Sequence, residues 1–236
     1  MSTIERGCLL VETGSVLPHV KFAEGVDAVS AQDVIDMLLN VSPPGAASSD
    51  GTLAGSSLGR KAADARVILL LSDNEEEGSR GLILNKATPF RIGNFTNKLP
   101  MFENAPINYG GDGSRSPNNQ DKAGKDLRSL HGYREILGSE EIVDGVFLGA
   151  DVKHASHVVG AGKARATDIK FFYSEVHWGC GELQAEIAQG KWVAAACAKE
   201  LILKPANYWD KPLWRMVLEL MGGKFALISR YLSADL

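Results

Sequence analysis

Apolar positions along the chain fall in short blocks that suit strands, separated by polar turns. Cys8-Leu9-Leu10-Val11 predicts a buried strand near the start. Val67–Leu71 is a continuous apolar run between Arg66 and Ser72-Asp73-Asn74, the pattern of a strand covered on both faces. The acidic turn Glu75-Glu76-Glu77-Gly78 separates it from Gly81-Leu82-Ile83-Leu84-Asn85, so 67–85 is expected to be an antiparallel hairpin. Ile107–Tyr109 ahead of Gly110-Gly111, Val146–Gly149, Ile169–Tyr173 and Trp192–Ala196 add further strands. Helical spacing predicts Ala31–Asn40, with Ser30 as N-cap and Pro43-Pro44 as the stop. It also predicts Val152–Val159 behind the N-cap Asp151, Gly181–Gln189, and Pro212–Met221 between the cap Asp210 and the stop Gly222-Gly223. Antiparallel strands mixed with a few helices give an α+β expectation.

Two stretches break the pattern. From Ser42 to about Ala63 the chain turns to Gly, Ala, Ser and Pro with almost no large apolar residue, which predicts a surface loop. Asp112–Lys125 is a second polar loop. Neither reads as a domain boundary, so one domain over 1–236 is expected, and no internal repeat is visible.

Composition narrows the possible functions. Of 236 residues, 25 are Lys or Arg and 29 Asp or Glu, a formal charge of −4. This balance argues against nucleic acid as the main partner, because phosphate neutralisation needs a cationic face. Three cysteines, Cys8, Cys180 and Cys197, are too few for a disulfide framework and read as thiols. The longest apolar run, Trp192–Ala198, has 7 residues, far short of the ~18 of a membrane span. The first residues carry neither an apolar signal core nor an Arg/Ser-rich transit composition. The expected compartment is the cytoplasm, with the plastid stroma as the alternative if a targeting segment is missing from this chain.

The phrase Asn74–Lys86 resembles a hallmark of the YqgE/AlgH family (UPF0301, DUF179), an acidic pair, Gly, two residues, then Gly-Leu-(Val/Ile)-Leu-Asn-(Arg/Lys). Here Glu77, Gly78, Gly81, Leu82 and Asn85 carry that pattern. Gly110-Gly111, Leu130-His131 and Asp144–Leu148 follow in family order. Trp178-Gly179-Cys180-Gly181-Glu182-Leu183-Gln184-Ala185-Glu186-Ile187 is similar to the family's Gly-Trp-x-x-Gly-Gln-Leu-x-x-Glu-Ile. The resemblance covers Gly7 to about Val11 and roughly 66–223. It implies an α+β fold whose bent, mixed and mainly antiparallel sheet closes into a partial barrel with peripheral helices. It implies no established enzyme activity. This chain departs from the pattern in three places: an insertion at about 17–64; Ser174, Glu175, Val176 and His177 where the family has Gly-Tyr-x-Gly; and Glu182 in place of Gln.

The chemistry-bearing residues support binding more than catalysis. Gly179-Cys180-Gly181 ahead of a helix could offer backbone N–H groups to an anion, but Glu182 in the first turn would repel one. Trp178 reads as a core plug beside that tight turn. His177 near Cys180 invites a base–thiol pair, yet three residues across a Gly turn rarely bring the two within reach. His154 and His157, at helical spacing, lack the further ligands of a zinc site, and the acidic turn lacks the oxygen pattern of a calcium loop. His131 reads as a partly buried histidine bonded to a backbone group. No catalytic, cofactor or metal residue is assigned. The expected function is a non-enzymatic accessory or binding protein docking on a protein partner or larger assembly, with His177, Cys180 and Glu182 as candidate surface. The alternative is a small-ligand binder or enzyme with a pocket near Trp178–Glu186, lined by Glu186, His177 or His131; transcriptional regulation is third.

Overall fold

The computed structural model describes residues 4–14, 65–112, 127–204 and 211–231. The expected helix at 31–40, the loop at 42–63, most of the loop at 112–125 and Asp210 lie outside them. In chain order the strands are β1 (Leu9–Glu12), β2 (Val67–Asn74), β3 (Gly78–Ile83), β4 (Ala87–Arg91), β5 (Pro106–Tyr109), β6 (Leu127–His131), β7 (Glu140–Val143), β8 (Val146–Leu148), β9 (Lys170–Tyr173), β10 (Val176–Trp178) and β11 (Trp192–Ala195). The helices are α1 (Val152–Gly160), α2 (Glu182–Ala188), α3 (Lys199–Leu203), α4 (Leu213–Met221) and α5 (Gly223–Tyr231). The chain divides into two compact units, one of residues 1–9, 68–183 and 196–209, the other of 10–67, 184–195 and 210–236.

In the first unit the expected hairpin forms from β2 and β3, with a bulge between Leu70 and Ser72. Its acidic turn folds on Asn74, whose Oδ1 accepts the N–H groups of Glu76 at 2.8 Å and Glu77 at 3.2 Å. The return strand starts at Gly78, three residues earlier than expected. β10 pairs antiparallel with the free edge of β3, placing Val176 opposite Gly81, His177 opposite Arg80 and Trp178 opposite Ser79.

The remaining strands of this unit form an open six-stranded sheet, in the order β4-β5-β9-β6-β8-β7. Only β5 and β9 run parallel; the other pairs are antiparallel. One face is sealed by a cluster that includes Ile92, Phe102, Ile107, Val158 and Phe171, with the Phe102 and Phe171 rings edge-on at 5.3 Å. α1 supplies Ala155 and Val158 to it, and Asp151 caps that helix as expected, accepting from Lys153 N at 2.9 Å and His154 N at 3.1 Å. The fold is therefore mixed α+β and mainly antiparallel. The six-stranded sheet ends at β4 and β7 and does not close on itself as a full barrel.

In the second unit β1 runs beside β11, and Thr13 N donates to Lys191 O at 2.9 Å. Arg66 grips the Glu12 carboxylate at both oxygens, each at 3.0 Å. The buried Trp214 of α4 donates its indole N–H to Glu12 O at 2.7 Å. α4 begins at Leu213 behind Pro212, with no side-chain cap. Gly222-Gly223 ends it as expected, but both glycines take positive φ (72° and 49°) and turn the chain directly into α5, which the pattern did not predict.

Four motif glycines of the first unit, Gly78, Gly81, Gly110 and Gly111, are fixed by close approach, whereas Gly181 has nothing within 4 Å of its would-be Cβ and is set by its positive φ. A Cβ on Gly81 would lie 2.5 Å from Ile68 Cγ2 and 3.0 Å from the Trp178 ring. Gly160 in α1 has nothing within 4 Å of its would-be Cβ. We expect Gly81→Ala to lower unfolding free energy in urea by about 2 kcal/mol through overpacking. Gly160→Ala should be neutral or stabilising by up to roughly 1 kcal/mol.

Candidate functional site

Glycines build the site before any charged group enters. Gly78, at φ +85°, passes so close to β10 that a Cβ would meet Trp178 O at 2.1 Å. Trp178 is buried with its ring over Gly81, the core plug the pattern suggested. Leu82 and Leu183 are fully buried; Asn85 is half-buried just past β3 and Glu77 is exposed in the turn. Gly110 donates its N–H to Tyr173 O at 2.8 Å and accepts from Ile83 N at 2.9 Å. A Cβ there would meet Ser174 O at 2.3 Å, and one on Gly111 would meet Glu175 C at 2.1 Å. The Gly-Gly pair thus clamps the chain at 174–176. Ser174 is held there at φ 64°, the sole non-glycine with positive φ among the described residues.

That clamp aims Glu175 inward. Its side chain is 4% exposed and holds three basic groups: Arg128 Nε at 3.1 Å, His177 Nε2 at 3.2 Å and Arg80 at 3.4 Å. Arg80 also donates to Ser72 Oγ at 3.1 Å. Burial by itself raises the Glu175 pKa, but the His177 bond and the Arg128 and Arg80 charges outweigh it and hold the carboxyl down at about 2. A carboxylate that firmly ionised is a weak proton acceptor at neutral pH. Its geometry is that of an electrostatic strut whose basic partners reach the surface.

The other candidates take separate partners. His177 turns to Glu175, whereas the exposed Cys180 thiol donates to Glu76 O at 3.0 Å, so the two are not assembled as base and nucleophile. Glu182 Oε2 accepts Gly179 N at 2.9 Å and closes the α2 end with its own carboxylate. Gly181 takes φ +71° in that turn. In the second unit Glu186 binds Trp192 Nε1 at 2.6 Å and Lys191. His131 is fully buried, more so than expected: its Nδ1 accepts Tyr133 N at 3.2 Å, which leaves Nε2 to donate to Gly149 O at 2.8 Å. Burial lowers its pKa. His154 Nδ1 accepts Leu137 N at 3.3 Å. Among the described residues no group of three or more His, Cys, Asp or Glu is placed to hold a metal ion.

Sequence reasoning noticed Glu175 only as a departure and missed Arg80 and Arg128 altogether. The available signal was one carboxylate inside the apolar phrase Phe171-Phe172-Tyr173-Ser174-Glu175-Val176-His177-Trp178, which has to be ion-paired if that phrase is buried. Lys170 was missed for the same reason. Its ammonium donates to Ile202 O at 2.8 Å and to Lys204 O, at the end of α3, and burial brings its pKa down to about 8.

Residues 53–226 match the sequence profile of the DUF179 family, described as AlgH-like. The chain belongs to the AlgH-like family. A UPF0301 protein of Chlorobium limicola is 28% identical over 70% of this chain and 81% of its own length. One of Bacteroides fragilis is 30% identical over 70% and 79%. The solution structure of AlgH from Pseudomonas aeruginosa, also UPF0301, superposes with a TM-score of 0.51 at 13% identity, covering 92% of this chain and 87% of that one. A Corynebacterium diphtheriae crystal structure gives 0.52 at 14% identity, covering 70% and 81%. At these identities the two structures speak for the fold alone. No helix among the described residues is long and apolar enough to cross a membrane.

Within this AlgH-like chain the strut is built on Ser174, with its positive φ, Glu175 and His177, the places where the sequence departs from the Gly-Tyr-x-Gly that the resemblance implies. The strut sets an acid limit on stability. Glu175 has a folded pKa of about 2 against an ordinary 4.5. Its contribution is therefore complete above pH 4.5 and lost as pH falls towards 2, amounting to roughly 3 kcal/mol. Glu175→Gln should cost about that much at pH 7 and flatten the urea-stability profile between pH 4.5 and 2. The lowered His131 pKa acts in an earlier window, removing stability as pH falls below 6.5. Ring nitrogen NMR should show the Nε2–H tautomer of the folded protein persisting to lower pH than the neutral imidazole of the unfolded chain.

Proposed function

We propose that this AlgH-like chain is a non-enzymatic binding protein that docks on a protein partner through the β4 end of its six-stranded sheet. The observation that carries the reading is an aromatic pair left in solvent. Phe90 is 50% and Phe95 65% exposed, with ring centroids 5.5 Å apart and planes at 73°. β4 is the outermost strand of its sheet, and four of its five residues are exposed.

Chemistry decides how the edge is used. Pro89 removes one backbone donor, Thr88 Oγ1 takes the Phe90 N–H at 3.2 Å, and Asn94 Oδ1 takes the Arg91 N–H at 2.7 Å. Strand addition is therefore blocked, as on protected edges generally. The two rings remain as contact groups, and aromatic side chains of this kind anchor protein interfaces. The Glu175 strut supports the same reading, because its carboxylate is committed to three basic partners and not to a substrate. The carbonyl-bound Cys180 and the self-capped α2 end fit it as well.

The test is affinity purification of tagged wild type and Phe90→Ser/Phe95→Ser from the native source, with quantitation of co-eluting proteins. We expect a stoichiometric partner with the wild type, weakened in the variant by about 2 kcal/mol, or roughly thirtyfold. Unchanged thermal unfolding should show that the variant is folded. Identical co-elution from both proteins, or no stoichiometric partner for either, refutes the reading.

A further inference from the structure

Two free thiols, Cys8 and Cys197, are half-buried, and both belong to the first unit. Cys8 immediately precedes β1, and Cys197 stands two residues past the end of β11. β1 and β11 are hydrogen-bonded neighbours. Lys191 O accepts from Thr13 N at 2.9 Å and from Gly14 N at 3.1 Å, so the end of β1 lies beside the start of β11. Neighbouring strands that meet in this way run antiparallel. Cys8 is six residues back from Gly14, and Cys197 is six residues on from Lys191. The ladder therefore brings both thiols to its far end in step with each other.

Contacts outside that ladder lead to the same place. A Cβ on Gly7 would lie 2.7 Å from Val143 Cβ, and one on Gly145 would lie 3.0 Å from Lys199 Cδ. Val143 and Gly145 belong to the tight connection between β7 and β8. The residue before Cys8 and the residue two past Cys197 thus pack on one short turn. The thiols also act on each other. Burial pushes both up to about 11, and the charge of Cys8 adds to the rise at Cys197. Charges are largely screened beyond about 10 Å at ordinary salt, so this coupling requires the two sulfurs to be near one another. Opposed residues of an antiparallel ladder have Cα atoms about 4.5–5.5 Å apart, inside the roughly 4.4–6.8 Å that a disulfide spans. The third thiol, Cys180, is exposed and donates to Glu76 O.

We propose that Cys8 and Cys197 are a two-electron redox pair that closes into an intramolecular disulfide under a small disulfide oxidant such as glutathione disulfide. One protein thiol, as its thiolate, attacks the oxidant, forms a mixed disulfide and expels one glutathione thiolate. The second protein thiolate attacks the protein sulfur of that mixed disulfide, forms the Cys8–Cys197 bond and expels the other glutathione. Both protein sulfurs are oxidised, the oxidant is reduced to two thiols, and these take up the two protons the protein releases. The bond ties the start of the chain to the segment that enters α3. Burial keeps the two thiols protonated at neutral pH, which makes closure slow and selects for a partner already in place. This property is independent of docking through Phe90 and Phe95, and each can fail without the other.

The test uses the full chain carrying Cys180→Ser, which removes the exposed competitor. It is incubated with glutathione disulfide at pH 8.5, both as the folded protein and during refolding from urea, so that access to the thiols cannot limit the reaction. The expected product has lost the mass of two hydrogen atoms and yields tryptic peptides joined through Cys8 and Cys197. Because the closed loop is long, its thermal midpoint should rise by about 5 °C or more, and dithiothreitol should reverse the rise. Adding Cys8→Ser to the same background should abolish both the joined peptides and the rise. The proposal is overturned if neither preparation yields the joined peptides, if glutathione held at Cys8 or Cys197 is the main product, or if the midpoint rises equally in the Cys8→Ser protein.

Discussion

The first unit depends on one steric fact: the Trp178 ring lies where a side chain on residue 81 would be. Because residue 81 is glycine, β10 can pair with β3 at full contact, and the indole fills the space above Ile68. Burial of one large aromatic surface then anchors two segments almost one hundred residues apart. Gly78 repeats the logic on the backbone of the same tryptophan, with a positive φ that glycine adopts at little cost. The two family phrases are thus halves of a single packing contact.

The Gly110-Gly111 pair extends the constraint to the neighbouring sheet. By closing on residues 174–176 it forces Ser174 into left-handed backbone and turns the next side chain inward. In this chain the inward residue is Glu175, and a buried carboxylate is tolerable only when its desolvation is offset by charge and hydrogen bonds. Arg80 comes from β3, Arg128 from β6 and His177 from β10, so the strut ties three strands together through one side chain. A tight backbone contact has become an electrostatic junction.

The functional reading rests on the character of one surface. Near β4 the chain leaves aromatic area in water while closing its own backbone donors, a combination suited to a side-chain interface.

Much of the fold was legible because local patterning and burial agree. The Val67–Leu71 run, the acidic turn, the Asp151 cap and the Gly222-Gly223 stop are all decided within a few residues of themselves. The motif glycines and Trp178 could be picked out as special positions, since few residues besides glycine serve where backbones nearly touch. What sequence could not decide were the partners: that Trp178 covers Gly81, that Arg80 and Arg128 converge on Glu175, and that His177 and Cys180 turn to different acceptors. Those outcomes depend on strand register, which is set by the packing of the whole unit. The split between the open six-stranded sheet and the β2–β3–β10 ladder has the same origin, because edge pairing is chosen by tertiary contacts and not by propensity. The sequence by itself determined which residues must be buried or glycine; the tertiary structure decided which of them meet.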